Sequence, residues 1–194
     1  MLLEIQIPTI LGREETCERL VRKITSQIKS INQVGIKIMK DNRELSIGMK
    51  RQKLVEECTA EYLVQIDDDD DIPDCYVEEI LLALESKPDC IGYIESVTIN
   101  NNRLLACHSN RFDDWSENQL GFHFIRTIFC KDVIKTSIAR EVGFSDMRFG
   151  EDHDFARKLK ASGLLKNEVF INKIMYYYSH NSLTSQQHKE RYGL

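Results

Sequence analysis

Five consecutive aspartates, Asp67 to Asp71, follow the apolar stretch Tyr62-Leu63-Val64-Gln65-Ile66 and give way to Ile72-Pro73. No packed fold gains stability from such a run. Two unit charges about 7 Å apart repel by roughly 0.6 kcal/mol in bulk water and about 2.4 kcal/mol at an effective dielectric of 20. Something positive is expected beside it, and a hard divalent cation suits it, because carboxylate oxygens are the ligands of Mg²⁺, Mn²⁺ and Ca²⁺. If residues 62 to 66 form a buried strand, the run begins at its carboxyl end, where open α/β sheets bind ligands. Were the strand to continue, Asp67 and Asp69 would share one face and Asp68 the other. Plainer roles are open to two of the five, Asp71 as the N-cap of a following helix and Asp70 as a solvated charge.

A second acidic group, Glu151 and Asp152, follows Gly150 at the start of a helical pattern. At about 100° per residue, Asp152 falls on the stripe of Phe155, Ala156 and Leu159, whereas Asp154 points away toward Lys158. An inward acid at a helix N-terminus is either a first-turn charge favoured by the helix dipole or a catalytic carboxylate. Arg51 is the cationic counterpart. It falls within the stripe of Ile47, Leu54, Val55 and Cys58, and either pairs with a diphosphate or the aspartates, or lays its stem over the core with its head in water. His180 follows Tyr176-Tyr177-Tyr178-Ser179 at a strand-to-loop boundary, and His108, His123, His153 and His188 show no ligand spacing to one another.

The elements that must position these residues alternate. Leu2 to Ile7 reads as a strand ended by Pro8, residues 13 to 29 as a helix with Cys17, Leu20, Val21, Ile24 and Ile28 inward, and Val34 to Met39 as a strand. Ser46 can cap a helix to about residue 60; strand 62 to 66 and a helix 73 to 86 opened by Pro73 follow. The spacing then predicts strands within 90 to 107 around Asn100-Asn101-Asn102, a strand 121 to 130, helices 131 to 141 and 151 to 162, and a strand 168 to 178. This βαβαβα order predicts an α/β fold with a largely parallel sheet and right-handed crossovers, followed by a smaller mixed half.

The totals bound the rest. A chain of 194 residues with 42% hydrophobic and 29% charged residues is expected to form one globular domain. A net charge of -5 argues against nonspecific nucleic-acid or anionic-membrane binding. No segment has the length of a membrane span, no signal peptide opens the chain, and six scattered cysteines read as free thiols, so a cytoplasmic setting is expected.

In this order the pieces resemble the GT-A fold of family 2 glycosyltransferases, a Rossmann-like three-layer α/β/α arrangement, over about residues 2 to 181. Ile5-Gln6-Ile7-Pro8-Thr9 looks like the family's first strand and Pro-Thr turn. Ser46 to Gln52 is similar to its Gly-x-x-Arg-Asn helix start, Tyr62 to Pro73 to its DxD strand, and Phe149-Gly150-Glu151-Asp152 to its acceptor-side motif. DxD alone is a weak signal; with Gly-Glu-Asp about 80 residues later, opening a helix, it is far more specific. The resemblance implies one domain over 1 to 194, with residues 1 to 90 binding the donor and 91 to 194 serving the acceptor. It implies inverting transfer from a nucleotide-diphosphate sugar, a UDP-sugar by preference, to a carbohydrate or other hydroxyl acceptor. Pro8, Thr9, Asp41, Arg51 and Asp68 would bind the donor, Asp67, Asp69 and His180 would hold Mn²⁺ or Mg²⁺, and Asp152 beside Glu151 would be the general base.

Departures from the family pattern are Gln52 in place of Asn, a short segment between Asp41 and Ser46, and a chain that closes soon after His180. The last suggests a soluble acceptor or recruitment by a partner. Two other readings of the residues stand beside this one. A noncatalytic metal-binding module would use the aspartates but give Asp152 no task, and the EF-hand spacing is missing. A sugar-phosphate nucleotidyltransferase would want a glycine-rich phosphate loop near the first strand, which the chain lacks.

Overall fold

The computed structural model describes residues 1–180. Fourteen elements follow in the order β1 (Leu3–Ile10), α1 (Glu14–Gln27), β2 (Val34–Asp41), α2 (Ile47–Glu57), β3 (Tyr62–Gln65), α3 (Tyr76–Leu84), β4 (Cys90–Ile99), β5 (Asn102–His108), β6 (Ser116–Gln119), β7 (Phe122–Arg126), β8 (Val133–Lys135), α4 (Thr136–Val142), α5 (Glu151–Ser162) and β9 (Glu168–His180). All nine strands join one sheet, in the order β2-β1-β3-β8-β4-β5-β7-β6, with β9 along β4. The first half is parallel, β1 lying between β2 and β3. Beyond β3 the sheet is mixed. β8 runs antiparallel to both β3 and β4, β5 antiparallel to β4, and β9 parallel to β4.

Alternation along the strands feeds two cores, one on each face. Val64 with Leu3, Ile5 and Ile7 packs against Cys17, Leu20 and Ile24 of α1 and Tyr76, Val77 and Ile80 of α3. Leu63 and Ile134 pack on the other side against Val55 of α2, Ile138 and Ala139 of α4, and Phe155, Ala156 and Leu159 of α5. A side-chain period of two thus sends neighbouring residues of β3 into different layers, giving α/β/α. Among the described residues no helix is long and apolar enough to cross a membrane. All six cysteines are free.

Several boundaries differ from the sequence expectation. β1 runs through Pro8 to Ile10 instead of stopping there, with Pro8 in register with Met39. β3 accompanies β1 only as far as Gln6, so Pro8 has one neighbouring strand and its missing N–H breaks no central ladder. α3 begins at Tyr76, and Pro73 instead supplies the carbonyl of a preceding turn, accepting from the Tyr76 amide at 3.1 Å. Asp71 therefore caps no helix; its backbone forms a bridge with Tyr177 of β9. The predicted helix 131 to 141 opens as strand β8, because Val133 and Ile134 fill the gap between β3 and β4. The predicted strand 121 to 130 shortens to β7, and β6 was not foreseen. The Asn100-Asn101 turn is as expected: both residues have positive φ and join β4 to β5 through a two-residue loop.

Candidate active site

β3 delivers the aspartates, and the chain turns at once instead of continuing as a strand, the Asp70 amide donating to the Asp67 carbonyl at 3.1 Å. The expected positive partner comes first from the protein itself. Arg51 Nη2 donates to Asp67 at 2.7 Å, Arg13 Nη1 to Asp68 at 2.8 Å and to Asp69 at 3.1 Å, and Lys131 Nζ to Asp70 at 2.8 Å. Lys23 Nζ lies 3.0 Å from Asp71. Asp70 is not a solvated charge: it is buried and also accepts from the Tyr176 hydroxyl at 2.6 Å. Burial pushes its carboxyl up to about 7 against the opposing pull of Lys131. Asp67 is lowered despite its burial, because Arg51 and Lys131 face it.

Arg51 decides how the two acidic groups relate. Its side chain is only 4% exposed, which rules out a head in water. Nε donates to Glu151 at 3.2 Å, Nη2 to Asp67, and Nη1 to Gln65 at 3.2 Å. One guanidinium therefore ties the aspartate run at the end of β3 to the first residue of α5, a hundred positions away. Glu151, not Asp152, is the buried acid of the pair, and burial raises its carboxyl. Asp152 is half-buried at the first turn, its Oδ1 accepting from the His153 amide at 2.8 Å. Burial pushes the Cys130 thiol up, with Arg51 opposing the rise and Asp152, Asp67 and Glu151 adding to it.

A second linked group covers the expected donor-binding residues. Thr9 Oγ1 donates to Asp68 at 2.5 Å. Buried Lys50 donates to the Thr9 carbonyl at 2.7 Å and pairs with Asp41, which also accepts from the Leu45 amide at 2.9 Å. Pro8 is buried in β1 beside Thr9. The His180 backbone pairs with Ile99, but its side chain lies outside the described residues, as does His188.

Asp67 and Asp69 could hold a cation. Asp69 is the more exposed, and its carboxyl is raised by burial and then by the Asp67 charge, so the two are near enough to repel. Among the described residues no group of three or more His, Cys, Asp or Glu side chains is arranged to hold an ion. Two carboxylates fit Mg²⁺ or Mn²⁺, which keep several waters and take phosphate oxygens to complete the shell.

Sequence reasoning missed Arg13, Lys50 and Lys131, and the buried group Glu95, His108 and Asp132. His108 lies 3.1 Å from Glu95 and 3.0 Å from Asp132. The available signal was Lys131-Asp132 set inside the apolar stretch from Ile128 to Ile134, where two charges need partners.

No family model matches the sequence, and no curated protein matches it. Solved structures do. S. aureus TarS residues 1–349 in complex with UDP-GlcNAc superposes with a TM-score of 0.70 at 13% identity, covering 93% of this chain and 59% of that one. The fold is GT-A-like. The UDP complex of the same TarS fragment gives a TM-score of 0.68 at 13% identity over 94% of this chain and 61% of that one. A longer TarS chain gives 0.67 at 14% identity over 93% and 37%. This GT-A-like chain thus spans between 37% and 61% of the lengths of those TarS chains.

Proposed function

We propose that the protein is a metal-dependent glycosyltransferase that moves a sugar from a UDP-sugar to a hydroxyl acceptor with inversion. The observation that carries this reading is the Arg51 bridge, which brings the aspartate run and the Glu151-Asp152 pair together at the carboxyl end of β3. The TarS structures with UDP-GlcNAc and UDP add support through the shared fold. In this reading Thr9, Asp41 and Asp68 frame the nucleotide beside Pro8, with Lys50 fixing Asp41 and Thr9, and the Thr9 hydroxyl fixing Asp68. Arg13, whose side chain is 35% exposed, turns from the aspartates toward the diphosphate. Mg²⁺ or Mn²⁺ on Asp67 and Asp69, with His180 as a further candidate ligand, would offset charge gathering on the leaving diphosphate.

Asp152 accepts the proton of the acceptor hydroxyl as its oxygen attacks the anomeric carbon. Its half-exposed carboxylate can meet an incoming group, whereas Glu151 is occupied by Arg51. Attack from the Asp152 side, opposite the leaving diphosphate, inverts the anomeric centre.

Thermal unfolding with UDP-, GDP- and dTDP-sugars, with and without Mn²⁺, tests the reading. A donor at a hundred times its Kd adds about 2.7 kcal/mol, roughly 5 to 10 °C for a chain of this size. UDP-sugars with Mn²⁺ are expected to give that shift. Asp69→Ala removes its metal-dependent part, and Asp152→Asn keeps donor binding while abolishing transfer. Stabilisation by Ca²⁺ alone, with none by any nucleotide, would instead mark a noncatalytic metal-binding module.

A further inference from the structure

After Arg51, Lys131 is the most enclosed cation touching the aspartate run, and nothing in the reading above uses it. Its side chain is 10% exposed; Nζ lies 2.8 Å from Asp70, 3.7 Å from Asp67 and 3.8 Å from Glu95. It also sits 4.5 Å from the ring centroids of both Tyr176 and Tyr178 of β9. Glu95 is held in turn by His108, and His108 by Asp132, whose other oxygen accepts from the Phe129 amide at 3.0 Å. Asp132 follows Lys131 in sequence, so the chain of ion pairs closes on itself: Lys131, Glu95, His108, Asp132. At its open end it continues from Lys131 to Asp67, then through Arg51 to Glu151.

Mere charge balance does not require this construction. A buried ammonium needs one good carboxylate, and Asp70 at 2.8 Å supplies it. Three carboxylates and two aromatic faces fix the ammonium in three dimensions, and the backing histidine fixes Glu95. The geometry points to Lys131 as a positioning residue for the donor site: by drawing on Asp67 from the side opposite Arg51, it sets the direction in which the Asp67 carboxylate faces the donor's diphosphate. Arg51 contacts Asp67 through Oδ1 and Lys131 approaches Oδ2, so the two cations together define the carboxylate plane. Without Lys131 the carboxylate is free to rotate onto Arg51 alone.

This rests on the donor-site reading, and the test separates the two. Lys131→Met alone leaves buried Asp70 and Glu95 short of a cation and could fail to fold. The informative variant is therefore Lys131→Met with Asp70→Asn, which keeps the net charge of the wild type, alongside Lys131→Arg. UDP is titrated calorimetrically into each protein at one fixed Mg²⁺ concentration, with unfolding followed in parallel. The expected result is a double variant folded at the titration temperature that binds UDP at least tenfold more weakly, and a Lys131→Arg protein that recovers most of that loss. A purely structural role would lower the unfolding temperature but leave UDP affinity intact. UDP binding within twofold of wild type in the folded double variant overturns the inference while leaving the proposed function standing. Should the double variant not fold, Lys131→Gln, which removes the charge facing Asp67 while keeping a polar donor for Asp70, decides: it lowers UDP affinity at least tenfold, and unchanged affinity overturns the inference. A wild-type protein that binds no UDP strikes down the proposed function, and this inference with it.

Discussion

Arg51 carries a guanidinium on the apolar side of α2, where pattern alone permits either a snorkelling head or a buried pair. Burial decides the matter, because an unpaired guanidinium at 4% exposure would cost far more than a helix could return. It therefore meets Asp67 and Glu151, with Gln65 taking a further N–H. Removing it strands the buried Glu151 carboxylate and takes from partly buried Asp67 its nearest cation. Arg51→Met is expected to lower stability by about 3–5 kcal/mol, and adding Glu151→Gln should recover part of that. Urea denaturation of the single and double variants measures both; a loss below about 1 kcal/mol would mean that Asp67 and Glu151 find other partners. The acidic residues were legible in the sequence as a group needing positive charge. Which cation answers which aspartate was not, since Arg13, Arg51 and Lys131 reach the run from separate segments.

At the scale of elements, the placement of Asp152 depends on how the loop before α5 docks on α2. Ser46 Oγ accepts from the Met49 amide at 3.1 Å, capping α2, and donates to Asp146 at 2.5 Å. The Gly48 amide donates to the Met147 carbonyl at 3.0 Å, and Gln52 Oε1 accepts from the Phe144 amide at 2.7 Å. A Cβ on Gly48 would run into the Ser145 carbonyl, a backbone atom that cannot swing aside. Gly150 then turns the chain into α5 at φ 77°, a conformation that favours glycine. Gly48→Ala is expected to destabilise by about 1–3 kcal/mol and, by shifting the loop that leads to α5, to reduce turnover more than UDP affinity. Steady-state kinetics beside UDP titration checks this; equal losses in both would place the fault in the donor site. The Gln52 that departs from the family pattern is also explained at this scale, since its longer amide reaches the Phe144 amide.

Across the whole molecule, one sheet joins the two halves, and a buried ionic network lies beneath it. His108 is fully buried, which by itself lowers its pKa, yet Asp132 and Glu95 outweigh this and raise it from 6.5 to about 9. A folded-state pKa above the unfolded one means a proton is taken up on folding. The contribution is complete below about pH 6.5 and fades as pH rises toward 9. Asp70, raised from 3.8 to about 7 by burial, adds a loss of the same sign at lower pH. Stability should therefore fall between about pH 6.5 and 9, and His108→Gln should flatten that slope. Denaturant unfolding at several pH values tests this; a wild-type stability that rises over that interval would contradict it.

The residues of the chain fix a good deal by local rules. Apolar periodicity set the alternation of strands and helices in the first half, Asn100-Asn101 set a hairpin, and the aspartates after Ile66 marked the sheet end where charge collects. Local rules failed where the nearest neighbours in space are distant in sequence. Val133 to Lys135 is a strand only because β3 and β4 leave a slot for it. Pro8 is tolerated because β3 ends short of it. The pairing of Asp67 with Arg51, and of Arg51 with Glu151, exists only once β3, α2 and α5 have packed. A carboxylate announces in sequence that it needs a cation; only the tertiary structure, by excluding water around it, decides which one.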